Sequence, residues 1–179
     1  MRRMLKAKTG MNERGFSILE VIIASAIMVI GISGLMALFA VAAAKNVQQG
    51  NQATRCTEYA QDKMEQLLAL SYTDTTSQVV GSVTIPNNCT GCGLTPGGNV
   101  SPSSPVTGYV DYVNPNDTTH TDGISGTAAG AQYMREWLIS PPNANQVMTI
   151  TVFVKSQFTA DVSQQLAPST TLVAVKQQY

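Results

Sequence analysis

The sequence predicts an α+β protein: a long N-terminal helix laid on an antiparallel sheet of about four to five strands. Two observations carry this. Residues 21–44 hold no charged side chain and run directly into an amphipathic stretch with helical spacing. After residue 70, short runs of period-two apolar residues alternate with polar turns, and no helical crossover separates them. At 179 residues, one membrane segment and one small domain are the natural count. The expected divisions are a leader at 1–15, a transmembrane helix at 16–44, its amphipathic continuation at 45–70, and a β-rich domain at 71–179.

The leader is basic, with Arg2, Arg3, Lys6, Lys8 and Arg14 against Glu13. The whole chain has eleven basic and eleven acidic side chains. Without the leader it keeps six basic and ten acidic, a net charge near −4. No clustered Lys and Arg marks a nucleic-acid surface. A basic start before an uncharged helix predicts a cytoplasmic N-terminus and an exported C-terminal domain. A secretory signal peptide is the competing reading, with Ala42-Ala43-Ala44 as a small-residue cleavage site. A signal's apolar core is typically about 7–15 residues, whereas this run is far longer and carries Glu20.

Residues 16–44 contain a single charge, Glu20. The 24 residues of 21–44 span roughly 36 Å as a helix, enough to cross a bilayer core. Glu20 sits where a first-turn acid favours the helix dipole, but a carboxylate inside lipid costs at least about 2–3 kcal/mol without a partner. Ala24, Ser25, Ala26, Gly31, Ser33, Gly34 and Ala37 are small enough for close helix approach, and equally ordinary for a membrane helix. Beyond Lys45 the chain turns polar while an apolar stripe persists at Ala53, Cys56, Ala60, Met64 and Leu67, joined by Leu68. Glu58, Asp62 and Glu65 read as its wet side, with Lys63 partly offsetting them. Gly50 is a weak point, since glycine costs about 1 kcal/mol inside a helix.

Strands are expected at 78–85, 106–113, 132–139, 146–155 and 170–176. In 132–139, Tyr133, Arg135, Trp137 and Ile139 alternate with Met134, Glu136 and Leu138. In 146–155, Met148, Ile150, Val152 and Val154 share one side. Residues 87–104 and 114–126 read as polar loops, the first broken by Pro96 and Pro102.

Catalytic chemistry is sparse. His120 is the one histidine, no glycine-rich phosphate loop follows a strand, and no nucleophile–base pair can be placed, so neither an enzyme nor a bound cofactor or metal is expected. Asn114, Asn116, Asp117 and Asp122 could offer oxygens to calcium, but their spacing matches no EF-hand. Cys89-Thr90-Gly91-Cys92 lacks the second pair that a zinc site needs. In an exported domain a disulfide is expected, Cys89–Cys92 first, with Cys56 bonded to one of them as the alternative.

The run Arg14-Gly15-Phe16-Ser17-Ile18-Leu19-Glu20, with the apolar helix behind it, resembles the type IV prepilin processing signal. Ile18-Leu19 reverses the commoner order, and no proline kinks the segment; Gly31 and Gly34 are the soft points instead. Gly31-Ile32-Ser33-Gly34-Leu35 and 60–67 are similar to the PilV class of minor pilins, itself similar to the minor pseudopilins of type II secretion. The resemblance implies a pilin fold and cleavage between Gly15 and Phe16 by a prepilin peptidase, which also methylates the new amine of Phe16. It implies that Glu20 faces that amine in a neighbouring subunit. It further implies a non-enzymatic filament subunit that initiates assembly or sits at the tip, with other major and minor pilins or pseudopilins as partners. Such a subunit waits in the bacterial inner membrane and then enters a pilus or pseudopilus. A non-polymerising, membrane-anchored binding or adhesion domain is the alternative.

Overall fold

The computed structural model describes residues 15–79, 91–114, 117–122 (as backbone), 131–157 and 167–178. Among the described residues one helix, α1 (Ile18–Ala69), precedes six strands: β1 (Gly97–Gly98), β2 (Val110–Asn114), β3 (Asp117–Asp122), β4 (Tyr133–Ile139), β5 (Val147–Ser156) and β6 (Ser169–Gln177). The chain divides into two units, Met1–Asn46 and Val47–Tyr179.

In the first unit, α1 begins after Ser17, whose carbonyl accepts the amide of Val21 at 3.2 Å, and Glu20 lies in the first turn. Every described residue of this segment is exposed. Ser33 Oγ donates to Val29 O at 2.8 Å, and Ser25 Oγ donates to Val21 O, so both hydroxyls are satisfied along the helix itself. Gly50 does not end the helix, which continues through it.

In the second unit the C-terminal part of α1 packs on the sheet. Cys56, Ala60, Met64 and Leu67 join Val113, Tyr133, Trp137, Ile139, Met148, Ile150, Val152 and Val154 in one core. Two members of the expected stripe do not: Ala53 and Leu68 are exposed, and Gln52 and Lys63 are buried instead. No basic residue occupies the last turn of α1. Lys176 of β6 supplies the charge, its Nζ donating to Leu68 O at 2.6 Å and to Leu70 O.

The sheet order is β3-β2-β4-β5-β6, all antiparallel, with β1 pairing the end of β4. Strict alternation governs β5: its even-numbered residues from Met148 to Ser156 are buried under α1 and its odd-numbered ones half-buried on the other face. The expected strands at 132–139, 146–155 and 170–176 match β4, β5 and β6 to within a residue. That at 106–113 begins later, at Val110, after a turn in which Tyr109 N bonds Val106 O. The 114–126 loop is corrected: Asp117–Asp122 pairs with β2, its turn composition overridden by the open edge of β2. The strand expected at 78–85 lies mostly outside the described residues; Gln78 and Val79 are not strand.

The loop at 87–104 contains the two-residue β1, which only glycine permits. Gly98 has φ +90°, and a Cβ there would stand 2.1 Å from Trp137 O and 2.8 Å from the Tyr109 ring. Tyr109 seals the contact by donating from its hydroxyl to Thr95 O at 3.0 Å.

Candidate functional site

The residues singled out for processing and assembly all lie at the start of α1. Gly15 has open space around it, with no atom within 4 Å of the position a Cβ would take. Phe16 is 81% exposed, and Ser17 to Glu20 are exposed with it. From there to Val47 the exposed side chains include Ile22, Ile27, Met28, Ile30, Leu38 and Phe39. By length and composition α1 can cross a membrane.

The second feature is a charge cluster inside the core, between α1 and the sheet. Asp111 of β2 receives three donors: Lys63 Nζ at 2.8 Å, Arg135 Nε at 2.7 Å and a terminal guanidinium nitrogen of Arg135 at 2.8 Å. Arg135 reaches on to Asp62 Oδ2 at 2.8 Å. Lys63 also donates to Gln66 Oε1 at 3.0 Å and to Val79 O, and its Nζ lies 4.2 Å from the Trp137 ring centroid. Two cations meet two anions, so the cluster carries no net charge. Lys63 and Asp111 side chains are 1% and 0% exposed; Asp62 reaches water. Burial would raise the Asp111 carboxyl, but the neighbouring Lys63 and Arg135 charges outweigh it and hold it at about 2. Burial lowers the Lys63 ammonium pKa.

Sequence reasoning placed Lys63 on the wet side of α1 and did not link it to Asp111. The signal was in the spacing: Lys63 follows Ala60 by three residues and precedes Leu67 by four, which puts it on the buried stripe. The expected alternation did place Arg135 on the face with Trp137. Glu58 is exposed and pairs with Arg55 at 2.9 Å, a contact worth less than about 1 kcal/mol.

Cys92 is disulfide-bonded and buried, while Cys56 is a free, buried thiol. The alternative pairing through Cys56 is therefore corrected: its Sγ donates to Pro168 O at 3.3 Å, and burial pushes its pKa up to about 11. Cys89 lies outside the described residues. The loop around Cys92 is pinned to the turn after α1, where Gly93 N bonds Ser77 O and Leu94 N bonds Asp74 O, each at 2.6 Å. The Ser77 hydroxyl and amide hold the Asp74 carboxyl at about 2. Among the described residues no group of three His, Cys, Asp or Glu side chains could hold a metal. The side chains of Asn116, Asp117, His120 and Asp122 lie outside them.

The open first turn, the exposed apolar helix and the single acid at its start thus stand together at one end of the chain. The chain carries the prokaryotic N-terminal methylation motif. The match spans residues 10–36 and ends in the middle of the apolar segment. It supports the class of type IV pilins and pseudopilins, a structural rather than generally enzymatic class. No curated protein and no solved structure matches the chain. The methylation motif implies processing by a prepilin peptidase, anchoring in the inner membrane and assembly with other pilins.

Proposed function

We propose that the protein is a minor pilin or pseudopilin, PilV-like, that helps start or tip a type IV pilus-type filament. The observation that carries the reading is the pairing of the methylation motif with a helix whose first thirty or so residues are apolar and wholly exposed. Such a surface is stable in lipid, and after extraction only against other apolar helices. Prepilin peptidase cleaves between Gly15 and Phe16 and methylates the Phe16 amine. The retained charge of that amine then pairs with Glu20 of a neighbouring subunit. Pairing removes the cost of carrying either charge alone in an apolar bundle, and so favours the register in which they meet. The N-terminus starts on the cytoplasmic side, and the β-rich domain is exported and meets neighbours in the pilus or pseudopilus. A Cys89–Cys92 disulfide stiffens the loop beside the turn at 74–77.

Mass spectrometry of the mature protein tests the processing step: the chain should begin with a methylated Phe16. Glu20→Ala should be cleaved normally but enter filaments poorly, and normal incorporation of that variant would refute the pairing role. In-cell cross-linking separates this reading from a non-polymerising, membrane-anchored adhesion domain. Partners with the same N-terminal signature support the filament; a monomer alone favours the anchor.

A further inference from the structure

The sheet face turned away from α1 holds a carboxyl with no partner among the described residues. Glu136 of β4 is 0% exposed, and among the described residues neither of its oxygens has a hydrogen-bond donor. Its cross-strand neighbours are Val110 on β2 and Phe153 on β5. On the same face Val110, Tyr112 and Met134 form a buried cluster separate from the main core. Among the described residues, two other titratable groups face it. Tyr112 lies opposite Met134 on β2, and Lys155 lies opposite Met134 on β5. Neither forms a hydrogen bond or ion pair with Glu136. Asp111 and Arg135 are committed to each other on the opposite face.

An ionised carboxylate in such a place is among the most costly groups a fold can hold. Two escapes exist: the acid keeps its proton, or the face opens and admits water. We propose that Glu136 is a proton-controlled latch, which as a neutral acid keeps the Val110–Tyr112–Met134 cluster closed and as a carboxylate opens it. On opening, the carboxyl O–H bond breaks and the proton passes to bulk water; nothing else is exchanged. Burial raises the Glu136 carboxyl to about 7. The folded value lies above the unfolded one, so the closed face is fully stable below the unfolded value of about 4.5 and loses stability as pH rises through about 7. The inference does not depend on the methylation motif or on assembly.

Hydrogen exchange of the full-length chain in detergent micelles tests it. With intrinsic base catalysis corrected, amide protection at 110–113 and 133–138 should fall on the order of fifty- to a hundredfold between about pH 5 and about pH 8.5. Glu136→Gln, which keeps the shape without the charge, should show no such fall. The same fall in that variant, or none in the wild type, overturns the latch. Should Glu136→Gln not fold, carbon-13 NMR of the wild-type glutamate carboxyls decides. One resonance titrating near 7 supports the latch, and all of them titrating in the ordinary range removes it.

Discussion

One helix serves two different surroundings. In residues 18–46 every residue of α1 is exposed, whereas Cys56, Ala60, Met64 and Leu67 are fully or almost fully buried. Composition explains part of the contrast. The first part is apolar all round, which suits a surrounding of lipid or like helices; the second is apolar on one stripe, which suits a single sheet. The rest is charge. The apolar part holds one acid at its start, Glu20, which is exposed and which the proposed filament would pair with another subunit. The second part brings Lys63 inward and matches it inside the chain with Asp111. The physical demand that a charge in an apolar setting finds its opposite is met within the domain by Lys63 and Asp111, and under the proposed function would be met between subunits by Glu20.

This contrast can be broken most sharply at Asp111. Asp111→Ala leaves Lys63 and Arg135 buried with only Asp62 to share, and should destabilise the domain by about 3–5 kcal/mol in urea unfolding of the full chain in detergent. Acid acts on the same group. Because Asp111 is held at about 2 against 3.8, its contribution is intact above about 3.8. It is lost as pH falls through about 2, a change of about 2 kcal/mol readable from unfolding midpoints. Gly98→Ala should cost at least about 2 kcal/mol, since a Cβ collides with Trp137 O at a backbone angle few side chains adopt. Lys176→Met removes the cation that closes α1 and should cost about 1 kcal/mol, with faster amide exchange confined to the helix end and β6. Glu20→Ala should change the melting of the β-rich domain by less than about 0.5 kcal/mol, although its effect on assembly is expected to be large. A large stability effect from Glu20 would dissolve the contrast between the two parts.

Much of this was legible along the chain because periodicity is local. The stripe at Cys56, Ala60, Met64 and Leu67 and the alternation of β4 and β5 each need only a window of about ten residues. The β3 strand was not legible. Its run Asp117-Thr-Thr-His-Thr-Asp122 has the composition of a turn, and only the neighbouring β2 makes it a strand. The two-residue β1 depends likewise on Tyr109 and Trp137, far along the sequence. Lys63 carried the right spacing, but its charge argued for water until a partner on β2 could be seen.

The sequence alone determined the processing signal, the apolar helix and the α+β order of elements, because each rests on neighbours within a few turns or strands. Tertiary structure decided which charges are buried, which cysteine stays free and which carboxyl is stranded. Those outcomes depend on residues as distant as Lys63, Asp111 and Arg135 arriving at one point. The cost of a charge is set by what surrounds it in space, and sequence spacing carries no direct record of that.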